Sequence, residues 1–261
     1  MNGPGHRPVA AGPAGGVAAV RRWGGLAADP SRGVAAVVLA AGGGSRFVDH
    51  GTGHGAGHGH KLLRPFRGQP LAAWALGAAL DAGFDEVLVV TGAADLGPVV
   101  DRMAADRRRR VTELRNDRWA EGQATSLQMA LDRCAADGRQ AAVVGLADQP
   151  LVPAEAWRAV AGCATAAVVV ATYGGGRRNP VRLDRSVWPM LPVDGDEGAR
   201  ALMRRRPDLV GEVACPGDPA DVDTVGDLER LDGKRLGEKR LGGEIGWTGR
   251  TPAERGEGRW S

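Results

Sequence analysis

The run Val34–Ala40 is the feature that most constrains this chain. Its residues are all apolar and three of them are valine, which is typical of a strand buried on both faces of a sheet. The run leads into Gly42-Gly43-Gly44-Ser45, and the basic residues Arg46 and Lys61 follow. Because glycine has no Cβ, the backbone N–H groups of such a loop can close around a polyphosphate, and arginine and lysine add positive charge. The stretch therefore predicts a site for a nucleoside triphosphate.

Two common glycine-loop motifs do not fit this stretch. A P-loop ends in Gly-Lys-Ser or Gly-Lys-Thr, and the sequence contains neither triplet. The dinucleotide-binding fingerprint requires a third glycine where Phe47 stands, so only Gly42 and Gly44 match it. The sequence also leaves open a glycine-rich turn between a strand and a helix that binds no ligand.

Charge, cysteine content and hydropathy argue against several classes of function. The 261 residues include 34 basic and 31 acidic ones, for a net charge of +3, so we expect no nucleic-acid partner. Three cysteines without C-x-x-C spacing favour reduced thiols in a cytoplasmic protein over a disulfide framework or a zinc site. Because no apolar run reaches the roughly 18 residues that span a bilayer, we expect no membrane partner.

Strand patterns alternate with helix patterns through the middle of the chain. This alternation predicts an α/β fold with a mostly parallel sheet and helices on both faces. We expect one folded domain over residues 33–232, between a disordered leader at 1–32 and a disordered tail at 233–261, because both ends lack a core pattern. The predicted strands are 34–40, 87–90, 111–114, 141–146, 166–172 and 210–214, and predicted helices begin after Pro70 and near Ser126.

Asp148 directly follows the apolar strand 141–146, in the sequence Ala147-Asp148-Gln149-Pro150. In parallel sheets, ligands collect at the carboxyl ends of the strands, where this carboxylate would project. Mg²⁺ prefers one or two carboxylates together with phosphate oxygens, so Asp148 is a candidate magnesium ligand. The alternative is that Asp148 caps the helix predicted to begin near Pro153.

The polar segment 116–126 precedes the helix predicted near Ser126. Thr125 or Ser126 either caps this helix or presents a hydroxyl and N–H groups to a phosphate or a base. Trp119, in the same segment, either stacks on a ring or simply packs in the loop.

The motifs together resemble one family. The blocks LAAGGGSR…K, NDRWAEGQATSL, ADQP, NPV, GDEGAR and DVDT occur in the order seen in MobA-like nucleotidyltransferases, and are most similar to the molybdenum cofactor cytidylyltransferase branch. The resemblance covers about residues 34–231. It implies a Rossmann-like nucleotidyltransferase fold, CTP as substrate and Mg²⁺ as cofactor. It also implies transfer of CMP to the terminal phosphate of molybdopterin with release of pyrophosphate, and a molybdoenzyme or a maturation chaperone as protein partner.

The resemblance also assigns residues by position. It implies that Arg46, Lys61 and Asp148 are catalytic, that Asp148 and Asp223 hold the metal, and that the GDEGAR block faces the acceptor. The implied nucleotide-binding residues are Leu39, Ala40, Ala41, Gly42, Gly44 and Ser45 in the glycine loop, with Gly122, Thr125 and Ser126 near the base.

One insertion departs from the family pattern. Residues 49–60 separate Arg46 from Lys61 and contain His50, His54, His58 and His60. Such a composition can bind a transition metal, but ordering a glycine-rich segment around an ion is entropically costly, which favours a mobile lid or surface extension.

Three other functions remain open on the sequence. A phosphosugar or a phospholactate-type acid can replace molybdopterin as acceptor. The chain can also be a non-catalytic nucleotide-binding module that acts as a cofactor chaperone. The third is a dinucleotide-dependent oxidoreductase, which the missing third glycine disfavours.

Overall fold

The computed structural model describes residues 33–44, 47 and 60–233. The predictions made for Ser45, Arg46, the leader 1–32, the tail beyond Gly233 and most of the histidine-rich insertion lie outside these residues.

Seven strands form one sheet in the order β5-β4-β1-β6-β8-β7-β9. All neighbouring pairs are parallel except those of β8, which runs antiparallel to β6 and β7. The two-residue strands β2 and β3 form a separate antiparallel pair. The strands are β1 Val34–Ala40, β2 Pro65–Phe66, β3 Gln69–Pro70, β4 Val87–Thr91, β5 Val111–Arg115, β6 Ala141–Leu146, β7 Val168–Tyr173, β8 Gly176–Asp184 and β9 Val210–Ala214.

Helices cover both faces of the sheet, as predicted. The helices are α1 Leu71–Asp81, α2 Gly97–Val100, α3 Ala105–Arg108, α4 Gln123–Ala136, α5 Ala154–Gly162, α6 Ala199–Arg205 and α7 Val225–Asp232. Alternate residues of β1 point to opposite sides, so that Val38 belongs to a core cluster with α1 and α5, and Val37 to a second cluster with α4. The predicted α/β fold with a mostly parallel sheet is confirmed.

Strand β8 is absent from our predictions. Arg177 and Arg178 give its first half no apolar pattern, and Pro180 has no N–H to donate to a ladder. The pairing with β7 passes from Val181 to Arg178, so the register skips Asn179 and Pro180. The irregularity therefore falls where the proline cannot take part in the ladder.

Helix α4 begins at Gln123, three residues before the predicted start at Ser126. Its N-cap is Gly122, and no side chain among the described residues caps the helix. Helix α4 thus begins at a glycine, whereas the sequence suggested that the hydroxyl of Thr125 or Ser126 caps its N-terminus.

No helix in the described part of the chain is long and apolar enough to cross a bilayer.

Candidate active site

The register between β1 and β6 brings two predicted site segments together. Leu39 pairs with Leu146 at the carboxyl ends of these strands, and the N–H of Ala147 donates to the carbonyl of Leu39 at 3.0 Å. The glycine loop and Asp148 therefore leave the sheet side by side. This is the edge at which parallel sheets bind their ligands.

Lys61 lies at the centre of this edge. Its Nζ donates to Asp148 Oδ2 at 2.7 Å, to Asp223 Oδ1 at 3.1 Å and to the carbonyl of Val222 at 2.9 Å. The N–H of Val222 in turn donates to the carbonyl of Asp148 at 2.9 Å. Because an ammonium has three protons, these contacts use its full donor capacity. Lys61 can reach a triphosphate, as the resemblance implies, only by giving up one of these acceptors.

The charge of Lys61 is stabilised where it lies. Burial alone would lower its pKa, but the charge of Asp148 and the hydrogen bonds to Asp148 and Asp223 outweigh burial, so the pKa is raised. The lysine therefore stays protonated near neutral pH and balances part of the local negative charge.

Asp148 does not cap α5. That helix begins after Pro153 and has no side-chain cap, whereas Asp148 Oδ2 is bound to Lys61. The capping alternative is therefore wrong.

A cavity of about 540 Å³ opens at this edge. Four aspartates line it, against one lysine and one arginine among the described residues. Its lining includes Leu39, Ala40, Ala41, Gly42, Gly44, Lys61, Gly122, Ser126, Asp148 and Asp223 from the predicted site, together with Gly43, Trp119, Asp196, Arg200 and Asp221. Of the predicted residues that the structure describes, Thr125 alone is missing from this lining.

Trp119 packs over the glycine loop and also lines the cavity. A Cβ on Gly43 would lie 2.9 Å from Trp119 Cζ3, and a Cβ on Gly92 would lie 2.7 Å from Trp119 Cβ. Glycine is thus needed at both positions for the ring to approach the loop. Trp119 both packs against the loop and presents a surface to the cavity.

Thr125 and Ser126 are held by a buried amide. Asn116 Nδ2 donates to Thr125 Oγ1 at 2.9 Å and to Ser126 Oγ at 2.8 Å. Thr125 lies behind the cavity wall, where its hydroxyl donates to the carbonyl of Gly122 at 2.9 Å. Ser126 alone of this pair reaches the cavity.

The GDEGAR block docks on the start of α4. The N–H of Ala124 donates to the carbonyl of Gly195 at 2.9 Å, and the N–H of Gly195 donates to the carbonyl of Glu121 at 3.1 Å. A Cβ on Gly122 would lie only 2.4 Å from the carbonyl carbon of Gly195, so no other residue fits there. This docking places Asp196 and Arg200 in the cavity wall.

His60 contacts the glycine loop, a role that the sequence did not predict. Its Nδ1 accepts from the N–H of Leu62 at 3.3 Å, so in the neutral ring Nε2 carries the proton and donates to the carbonyl of Gly42 at 2.7 Å. Burial and the charge of Lys61 lower the pKa of His60. The imidazole thus ties the glycine loop to the segment that carries Lys61. In the sequence, the signal for this role was that His60 directly precedes Lys61.

Asp221 is a second residue that the sequence analysis missed. It lies two positions before Asp223 in the DVDT block and lines the same cavity. Burial and the nearby charge of Asp148 raise its pKa, although Gln149 Nε2 donates to Oδ1 at 2.8 Å. Asp221 and Asp223 lie on either side of Val222, which is buried. This alternation was the signal in the sequence that Asp221 belongs to the site.

The acidic residues fit a hard divalent cation. Asp148 Oδ1 is buried and has no hydrogen-bond partner among the described residues, which leaves a carboxylate oxygen available as a ligand. Asp148 and Asp223 are brought together through Lys61. No group of three or more His, Cys, Asp or Glu suited to a metal occurs within the described ranges. Mg²⁺ needs no such group, because one or two carboxylates and substrate phosphates complete its shell.

Comparison with known proteins places this site in context. A family model described as MobA-like NTP transferase domain matches residues 36–210. The nicotine blue oxidoreductase of Paenarthrobacter nicotinovorans is 32% identical over 210 residues, which are 76% of this chain and 96% of that protein.

Solved structures show the same fold. Rv0371c of Mycobacterium tuberculosis H37Rv is 29% identical with a TM-score of 0.62, covering 77% of this chain and 99% of that one. Its complex with manganese gives 28% identity, a TM-score of 0.59, and coverage of 76% and 97%. A nucleotidyl transferase from Methanothermobacter thermautotroptrophicus is 25% identical with a TM-score of 0.63, covering 76% and 95%.

Proposed function

The chain belongs to the MobA-like NTP transferase domain family of nucleotidyltransferases, and on this premise we propose that it transfers CMP from CTP to the terminal phosphate of molybdopterin. Pyrophosphate is the second product and Mg²⁺ the cofactor. The preference for CTP rests on the resemblance of Ala40-Ala41-Gly42 and of Gly122–Ser126 to the cytidylyl branch. The product is then passed to a molybdoenzyme or its maturation chaperone.

One observation carries the proposal. Lys61 holds Asp148 and Asp223 at the carboxyl ends of the central strands, beside a glycine loop and within a cavity of about 540 Å³. A cavity of this size falls in the range of small-molecule sites. Binding a nucleotide requires only the loop, whereas a partly buried acid with one free oxygen beside that loop suits group transfer.

The proposed reaction needs no side chain as a general base. A phosphate monoester is already anionic near neutral pH, since its second pKa is about 6. Its terminal oxygen attacks the α-phosphorus of CTP, and a new P–O bond forms while the bond to the bridging oxygen of the β-phosphate breaks. Pyrophosphate leaves with the electron pair. The protein therefore acts by positioning the reactants and by stabilising charge.

The charge of the cavity supports a divalent cation. Four aspartates face the cavity against one lysine and one arginine in its described lining, and a divalent cation would reduce the repulsion between these acids and a triphosphate. We propose that Asp148 and Asp223 hold Mg²⁺, which neutralises phosphate oxygens when bound. The manganese complex of the mycobacterial relative is consistent with a divalent ion in this fold. Arg46 is proposed to bind the leaving pyrophosphate.

A second candidate follows from the name of one relative. The protein from Paenarthrobacter nicotinovorans is called an oxidoreductase, and it covers most of this chain. The alternative is thus a dinucleotide-dependent oxidoreductase. Asp148 and Asp223, which both bind Lys61, argue against an oxidoreductase. Hydride transfer gives no role to a cation-binding carboxylate beside the glycine loop.

Pyrophosphate release distinguishes these functions. The protein is incubated with each of the four NTPs, with and without molybdopterin, at several Mg²⁺ concentrations, and NADH and NADPH oxidation is followed in parallel. Release that requires CTP, molybdopterin and Mg²⁺ supports the proposal. Turnover with a phosphosugar or a phospholactate-type acid in place of molybdopterin would show that the acceptor is one of these compounds. Oxidation of NADH or NADPH without pyrophosphate release supports the oxidoreductase, and nucleotide binding without any turnover supports a cofactor chaperone.

A further inference from the structure

A second cavity of about 760 Å³ adjoins the one that contains Lys61. The two share three lining residues, Leu146, Arg200 and Asp221. Leu146 ends β6, just before Asp148, so the shared wall begins at the proposed metal site. The second cavity is also lined by Gln149, Val170, Arg177, Arg178, Asn179, Val181, Met203, Arg204 and Pro207.

The second cavity has the opposite charge. Four arginines line it, and Asp221 is its single acidic residue among those described. Two of these arginines are neutralised locally, since Arg177 pairs with Glu212 at 2.6 Å and Arg204 pairs with Glu197. The remaining positive charge comes from Arg178 and Arg200.

Arg178 and Arg200 make no ion pair with any residue that the structure describes. Arg178 Nη1 donates only to the carbonyl of Arg177, at 2.8 Å. The two side chains belong to different elements, β8 and α6, which converge on one cavity. Two guanidinium groups that form no ion pair with a described residue favour a ligand that brings its own negative charges, because charge-assisted hydrogen bonds to arginine are strong and directional.

The lining of the second cavity also includes apolar residues. Val170 and Val181 are buried residues of the sheet, and Met203 lies on α6. A ligand seated here would combine anionic groups with an apolar part. Arg200 faces both cavities, so one end of the ligand would lie beside the proposed nucleotide site.

We infer that the second cavity binds the acceptor, that Arg200 holds its reactive phosphate at the shared wall, and that Arg178, which lines the second cavity alone, binds a second anionic group. This inference rests on the proposed nucleotidyl transfer. It selects acceptors that are phosphate monoesters with a second anionic group over those that carry the phosphate alone.

Steady-state kinetics test the role of the two arginines. With CTP saturating and molybdopterin varied, R178Q is expected to raise the acceptor KM about tenfold with kcat and the CTP KM unchanged, because one charge-assisted contact is lost. R200Q is expected to raise the acceptor KM at least as much and to lower kcat. The matched control is R205Q, on the same helix, whose side chain donates to the carbonyl of Met190 and lines neither cavity. An acceptor KM unchanged in R178Q and R200Q relative to R205Q would overturn the inference.

Calorimetry with two probes tests the site without catalysis. We expect 2-phospholactate, with a carboxylate beside its phosphate, to bind about tenfold more tightly than glucose 1-phosphate, and R178Q to remove this preference. Equal binding in the unmodified protein, or a preference that survives in R178Q, would contradict the inference. Because this readout needs no turnover, failure of pyrophosphate release with molybdopterin counts against the proposed function alone.

Discussion

Lys61 and Asp148 lie 87 residues apart in the chain, and their side chains meet at 2.7 Å. The same ammonium binds Asp223, 162 residues away, at 3.1 Å. Lys61 thus lies between two carboxylates, and this position also suits a divalent cation. Its charge holds the two acids together before any metal or nucleotide arrives. The contacts join the segment after β6 to the segment before α7 in the wall of the cavity.

Replacing Lys61 with methionine should destabilise the protein in a way that Mg²⁺ partly reverses. The two acids would lose their counter-charge while remaining 20% and 29% exposed, so we expect a cost of about 2–3 kcal/mol, below that of a fully buried pair. This corresponds to a Tm lower by roughly 5–10 °C. Thermal unfolding with and without 10 mM MgCl₂, roughly a saturating concentration, measures the reversal.

Arg107 provides the matched control for Lys61. It pairs with Asp81 at 2.7 Å with a similar side-chain exposure of 14%, but this pair lies away from the cavity. R107M should also lower the Tm, and MgCl₂ should not restore it. An equal response of the two variants to MgCl₂ would show that Lys61 does not occupy a cation position.

Gly122→Ala should disrupt the contact between the start of α4 and the GDEGAR block. Gly122 has φ +114°, and an added Cβ would lie 2.4 Å from Gly195, so strain and overlap act together. We expect a loss of about 3 kcal/mol or more in the free energy of unfolding. Gly83 has φ +94° with nothing within 4 Å of an added Cβ, so G83A reports the backbone strain alone, about 1–2 kcal/mol. If denaturant unfolding gave G122A and G83A the same loss in the free energy of unfolding, the close contact of Gly122 with Gly195 would be refuted.

The contact of His60 with the glycine loop should depend on pH. Its pKa is lowered by burial and by Lys61, so between the folded pKa and about 6.5 the unfolded chain binds the proton more readily. The stabilisation by neutral His60 is therefore complete above pH 6.5 and is lost as the pH falls. Protonation also removes the Nδ1 acceptor from Leu62.

The measurement is the free energy of unfolding of the unmodified protein minus that of H60Q, from pH 5 to 8. Subtraction removes the titration of the other histidines. The difference should be about 1 kcal/mol above pH 6.5 and should shrink below it. A difference that stays constant over this range would show that His60 does not act through its neutral imidazole.

Much of the fold was predictable because buried strands carry unbroken apolar runs. The bounds of β1, β6 and β9 match the predictions, since their sequences differ sharply from the flanking turns. Strand β8 was missed because its arginines and Pro180 conceal the pattern. The early start of α4 was missed because Gly122 is fitted to Gly195, a contact that a local signal does not reveal.

The candidate site was predictable in its location more than in its contacts. The strand-end rule placed Asp148 beside the glycine loop. The contact of Lys61 with the two acids depends on long-range packing around an insertion, so local spacing contained no signal for it. Thr125 shows the opposite error, since its hydroxyl turns away from the cavity and donates to the backbone carbonyl of Gly122. The roles assigned to Ser45 and Arg46 stay predictions, because both lie outside the described residues.

The most direct test of the account is the Mg²⁺ dependence of pyrophosphate release by D148N. The asparagine oxygen can still accept from Lys61, so the Tm should stay within a few degrees of the unmodified protein, and D117N, at an exposed aspartate outside the cavity, is the control. We predict that release with CTP and molybdopterin falls roughly 100- to 1,000-fold at every Mg²⁺ concentration, as expected for loss of a metal ligand. Full activity of folded D148N across that range would contradict the account.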